Sequence, residues 1–140
     1  MVYKPVYWEH HCELSEERIV SRGLLQPLVY QGSPIASPKA AYSRTLHCWR
    51  VAKNVFGVVL QRLDLYVYWE YDGSRILYVD HWTDADGNLG WTVVYHTSWV
   101  SYRSNYRWRI SAYALYEHPI LGFDSLSLTA QIYANGSGSC

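Results

Sequence analysis

The alternation of apolar and polar positions is organised around residues 58–102 and turns on one dipeptide. Asp72-Gly73 stands between two runs rich in Tyr, Trp, Val and Leu. Asp-Gly in that setting predicts a tight hairpin, because both turn residues must reach positive φ. A two-residue loop sets a register in which Glu70 faces Arg75, Trp69 faces Ile76, Val67 faces Tyr78 and Leu65 faces Asp80. Opposed charges and aromatic–aliphatic pairs of this kind favour cross-strand packing.

The hairpin strands are predicted over 58–71 and 74–82, and further strands over 42–52, 91–102, 106–117 and 123–134. Trp91, Val93, Tyr95 and Trp99 fall on one face of their strand, as do Tyr106, Trp108, Ile110, Ala112 and Ala114 in the next. In the last, Leu126, Leu128, Ala130 and Ile132 repeat in period two. Lys53-Asn54, the polar stretch 83–90, Arg103-Ser104-Asn105 and 118–122 punctuate them. Evenly spaced strands with few helix signals make an all-β chain, an antiparallel β-sandwich whose C-terminal part is mainly a meander.

Residues 1–40 read as an N-terminal arm and loop-rich segment of the same domain, 41–134 as the sandwich core and 135–140 as a flexible tail. Pro5 confines the extended arm, 1–12, to an edge. Residues 15–23 carry the punctuation of a short helix, with Ser15 as cap, Glu16 and Glu17 in the first turn, Arg22 in the last and Gly23 as stop. Between 24 and 41 four Pro and Gly residues make loop chemistry, with Leu28-Val29-Tyr30 as a short strand.

Length and composition narrow the function. The 140 residues suit one domain with one sizeable core. No apolar run is long enough for a membrane span. Twelve basic residues balance twelve acidic ones, so no global field favours nucleic acid. The first residues lack a charged start, apolar middle and cleavage site; the expectation is a chain made without a signal or with its signal removed. Fourteen Tyr and seven Trp against two Phe favour aromatics with a polar edge, suited to half-wet strands and to interfaces.

Tyr68-Trp69-Glu70-Tyr71-Asp72-Gly73-Ser74-Arg75-Ile76, then Gly90-Trp91, Tyr102-Arg103, Pro119 and the closing 131–137 stretch Gln-Ile-Tyr-Ala-Asn-Gly-Ser resemble a family. It is a family of small exported all-β proteins of Gram-positive bacteria. The resemblance covers about residues 42–137 and implies export and fold, not a particular chemistry. Members often carry extra cysteines in the later strands, and this chain has none there.

In an exported chain Cys12 and Cys48 are expected to pair as a disulfide, worth about 3–4 kcal/mol in the chain-entropy model. That leaves Cys140 at the end of a Gly/Ser tail, as an engineered handle or an intermolecular thiol. Free thiols and zinc held by His10, His11, Cys12, His47 and Cys48 are the alternatives. Adjacent residues of a strand point to opposite faces, which counts against zinc, so no metal and no cofactor is expected. Asp84, Asp86 and Asn88 have the alternating donors of a calcium loop but lack its Gly and Glu positions, and ordinary turn chemistry accounts for them. By the two-residue register, Asp80 shares a face with Leu65 and His81 lies opposite Asp64, which makes no acid–base pair. Arg103, Arg107 and Arg109 interleave with Tyr102, Tyr106 and Trp108, but Arg107 and Arg109 face away from the rings, so a solvated strand is favoured over a nucleic-acid platform. No recognised catalytic motif is present.

The expectation is therefore a non-enzymatic, secreted or cell-surface subunit that forms homo-oligomers. Strand edges and the apolar arm residues Val2, Tyr3, Val6, Tyr7 and Trp8 would carry the association, rings or filaments following from head-to-tail contacts. The arm otherwise folds back on its own domain, held by Cys12 and Cys48. The second expectation is a carbohydrate- or surface-binding module using Trp82, Trp91 and Trp99.

Overall fold

Period-two alternation gives each strand one apolar face, and two sheets bury those faces against each other. The computed structural model describes residues 1–20 and 40–140; the expected strand at Leu28-Val29-Tyr30 and the end of the expected helix lie outside them. Among the described residues there is no helix. The strands are β1 (Tyr7–Leu14), β2 (Arg18–Ile19), β3 (Tyr42–Lys53), β4 (Val59–Tyr71), β5 (Ile76–Gly87), β6 (Thr92–Arg103), β7 (Arg107–His118), β8 (Gly122–Tyr133) and β9 (Gly138–Ser139). Sheet A runs β1-β3-β4-β5, with β2 beside β1 on the edge of β3; sheet B runs β6-β7-β8-β9, and every pairing is antiparallel. The molecule is an all-β sandwich, as expected.

The core joins the odd positions of β4 to the even positions of β7 and β8. Leu63, Leu65, Val67, Trp69 and Tyr71 meet Ile110, Ala112, Ala114, Tyr116, Leu126, Leu128, Ala130 and Ile132, with Leu46 and Cys48 from β3. Trp69 is fully buried, and its indole N–H donates to the Tyr133 carbonyl at 3.0 Å, so the largest core side chain also satisfies its one polar atom across the sheets. Tyr116 similarly buries its ring while its hydroxyl donates to the Arg62 carbonyl.

The hairpin turns where expected, but with a different register. Asp72 Oδ1 accepts from the Ser74 and Arg75 amides, both at 2.9 Å, and from the Ser74 hydroxyl at 3.0 Å. This side-chain turn widens the loop to residues 72–75, with Gly73 at φ +96°, and a bulge follows between Glu70 and Tyr71. Trp69 therefore faces Val79, Glu70 faces Tyr78 and Leu65 faces Thr83. The shift is odd, so it exchanges the faces of β5. Asp80 turns outward opposite Tyr68, and His81 turns inward opposite Val67.

Four other features differ from expectation. No helix starts at Ser15: its amide and hydroxyl bond the Thr45 carbonyl and amide, at 2.9 and 2.8 Å, and Arg18–Ile19 is strand. A two-turn helix is marginal alone, and the open edge of β3 offers better partners. Strand β5 runs on through Gly87, into the stretch expected as a loop. Bulges near Val94 and Ser101 split the expected face of β6, leaving Val93 half-buried and Tyr95 and Trp99 outside. The tail at 135–140 holds a strand: β9 pairs with β8, and Cys140 packs against the core.

Candidate functional site

The outer face of sheet A carries most of the chemistry. The β-register sets His11 opposite Trp49, Trp49 opposite Asp64 and Asp64 opposite Asp84 in one row, and His47, Tyr66 and Trp82 in the next. The rings form a continuous stack over four strands. Centroids lie 5.0 Å apart for His11–Trp49, 4.4 Å for Trp49–His47, 4.2 Å for His47–Tyr66 and 5.5 Å for Tyr66–Trp82, all within 28° of parallel. Rings this close and parallel stand on edge, each covering its neighbour's face. Among the described residues no further ring stacks on His11 or Trp82, the two ends of the row.

Beneath the stack lies one buried carboxylate. Asp64 accepts two hydrogen bonds from Arg62, both at 2.8 Å, and sits 2.7 Å from His47 Nε2. Burial pushes the Asp64 carboxyl up, but the Arg62 and His47 hydrogen bonds outweigh it and hold the group below its usual value. Arg62 is pushed up by its hydrogen bond to Asp64 and also lies over the Trp49 ring at 5.4 Å. On β1, Glu9 bonds Lys53 at 2.8 Å and His11 at 3.2 Å.

The expected tryptophan trio does not converge. Trp91 is 4% exposed and donates its indole N–H to the Tyr3 carbonyl at 2.8 Å. Trp82 ends the ring stack on sheet A, and Trp99 lies on the outer face of sheet B; they are 45% and 46% exposed. Trp91 opens an alternating stretch, yet it belongs to the turn before β6, where the N-terminal arm covers it. The rings that do align, at 11, 47, 49, 66 and 82, are invisible in sequence until the β1–β3–β4–β5 register is known.

The arm lies along its own domain. Val6 N–H donates to the Lys53 carbonyl at 2.8 Å, buried Asn54 donates to the Val2 carbonyl at 2.7 Å, and Tyr3 stacks on His118 at 4.7 Å. The side chains of Val2, Val6, Tyr7 and Trp8 stay exposed.

The three cysteines converge. Cys12 and Cys48 are cross-strand partners, but the sulfur each is placed to bond is that of Cys140 and not, as expected, the other's; Cys140 is their shared neighbour. All three sulfurs fall within 4.8 Å of one another, the one such group of His, Cys, Asp or Glu donors among the described residues. The set drawn from His10, His11 and His47 with Cys12 and Cys48 does not form, since His11 and His47 are in the outer stack. Asp84 and Asp86 lie in β5, opposite Asp64 and Arg62, and belong to no cluster of three or more donors among the described residues.

Inward-turned His81 places Nδ1 2.7 Å from the Ser98 hydroxyl, and Thr83 places its hydroxyl 2.7 Å from His96 Nδ1, linking the edges β5 and β6. Asp80 points the other way and takes no part. Near the hairpin, Arg107 and Arg109 lie over Tyr102 at 4.7 and 5.7 Å and Arg103 over Trp108 at 5.2 Å, so these cations are already stacked on their own rings.

The fold and these sites define a small antiparallel β-sandwich with a wired polar–aromatic face and a three-sulfur centre. Comparison with known proteins gives no match to a family model, to a curated protein or to a solved structure.

Proposed function

We propose that this chain is a non-enzymatic extracellular structural subunit that associates with copies of itself through strand edges. The observation that carries the reading is β6. From 93 to 102 it has no Asp, Glu, Lys or Arg, and Val94, Tyr95, Trp99, Val100 and Tyr102 are exposed. It is an edge strand, and among the described residues no backbone hydrogen bond reaches its free side. The other edges are guarded: β5 carries Asp80, Asp84 and Asp86, β1 carries Glu9 and Glu13, and β9 covers part of β8. An uncharged, apolar edge is what soluble monomers avoid. Antiparallel pairing of β6 with its counterpart in a second copy is self-complementary and closes a dimer, with Tyr95 to Val100 as the regular stretch between the bulges. The arm is engaged in cis, so it contributes exposed side chains, not a donated strand. The thiol cluster, placed for disulfide chemistry, supports an oxidising location.

The test is mass in solution by light scattering. The full chain is expected to be dimeric or larger at high concentration and Val100→Lys monomeric. A full chain that stays monomeric overturns the reading.

A second reading, a carbohydrate- or surface-binding module, rests on the open face of Trp82 beside the Asp84 and Asp80 carboxylates. A glycan array with tryptophan-fluorescence titration tests it, and flat responses in both remove it.

A further inference from the structure

A sulfur atom holds one disulfide bond at a time, so three converging cysteines give one bond and one remaining thiol. Their surroundings differ. Cys48 is fully buried, Cys140 is half-buried and Cys12 is exposed on β1. Cys140 opens on a cavity of about 250 Å³ that is also lined by His10, Arg50, Ser127, Leu128 and Thr129. Within that lining, Arg50 has a buried Nε that meets no hydrogen-bond acceptor among the described residues. Arg50 is the cation of this lining, and a carboxylate is the acceptor a guanidinium fits best. A cavity of this size, holding a cation and a disulfide-competent sulfur, fits a small anionic thiol.

From this juxtaposition we propose that the cavity at Cys140 is a thiol–disulfide exchange site for low-molecular-weight thiols that carry a carboxylate, the carboxylate resting on Arg50. The thiolate attacks Cys140 Sγ. The bond from Cys140 to its chain partner, Cys12 or Cys48, breaks, and the electron pair leaves on that partner, which takes up the proton the incoming thiol released. The incoming thiol is oxidised to a mixed disulfide on Cys140, and the partner cysteine is reduced. Because two thiols now flank Cys140, either reverses the step by attacking Cys140 and expelling the small thiol. The third cysteine thus makes the adduct self-resolving, and no external oxidant is needed.

The full chain is treated with glutathione, which bears carboxylates, or with cysteamine, which bears none; adducts are quenched in acid and located by peptide mass. The expected adduct is on Cys140, formed about fivefold faster by glutathione than by cysteamine at matched thiolate concentration. Arg50→Gln is expected to remove that preference, chiefly by slowing the glutathione reaction. The double variant Cys12→Ser/Cys48→Ser, given the corresponding disulfides, is expected to keep the Cys140 adduct because nothing resolves it. Should it misfold, the wild-type and Arg50→Gln rates still decide. Adducts confined to Cys12, equal rates for both probes, or a preference that survives Arg50→Gln each overturn the proposal.

Discussion

On the outer face of sheet A each large side chain answers to a neighbour, whereas along β6 of sheet B the central ones do not. His11, Trp49, His47, Tyr66 and Trp82 stack in sequence, and Arg62 and His47 share Asp64. Among the described residues no ring or cation stacks on Trp99, and Val94 and Val100 stand exposed beside it. The difference is one of entropy already spent. The stacked rings of sheet A have their rotamers set by one another within a single chain. Val94, Trp99 and Val100 of β6 keep their freedom, and under the proposed pairing a second copy would order them.

Breaking what the two regions share should have the largest effect. Trp69→Ala removes the ring that spans the core and the bond to Tyr133, and a loss of about 3–5 kcal/mol is expected. Urea unfolding followed by fluorescence and circular dichroism should stay a single transition. Two transitions would mean that the sheets are separable.

The wiring of sheet A comes next. Asp64→Asn should cost about 2 kcal/mol, the scale of hydrogen bonds to a charged group. The carboxyl is held below its ordinary value in the folded chain, so its contribution is fully present above the unfolded pKa of about 4 and is lost as pH falls through the lower folded value. Thermal melts across that acid range should show the wild type losing stability that Asp64→Asn never had. Parallel curves would show that the pair contributes nothing.

Gly73→Val should cost about 1–2 kcal/mol by chemical denaturation, because φ is +96° and a β-branched residue resists that region. A β-carbon at this position would meet no atom within 4 Å, so the cost is in the backbone, and Gly73→Asn should recover much of it. Least affected in stability is Val100→Lys on β6, within about 0.5 kcal/mol in a melt of the monomer. It sharpens the contrast best, since under the proposed β6 pairing its effect falls on assembly and not on folding.

The strands and the all-β class were legible because the inward positions of β4, β7 and β8 are apolar at every second residue, and tertiary packing agrees with that period. Register was not, because one carboxylate decided it: Asp72 closes a wider turn than Asp-Gly alone requires. The extension of β5 was hidden for a related reason. Thr83 and Ala85 face inward and Asp84 and Asp86 outward, a strand alternation written in residues that also make loops. The ring stack and the sulfur centre each need partners from strands distant in the chain, and neither β1–β3 nor β8–β9 pairing leaves a local signature.

Cys12 and Cys140 are 128 residues apart along the chain and 5.6 Å apart at their Cα atoms. That closeness sets how the molecule carries tension. With this bond closed, a load entering ahead of Cys12 and leaving at Cys140 runs through one sulfur pair and bypasses the sandwich. With it open, the same load peels β9 from β8 and β1 from β3, one ladder bond at a time. A bond from Cys140 to Cys48 lies between these cases, passing the load through the β1–β3 ladder alone. The choice of sulfur partner is thereby a choice of mechanical grip.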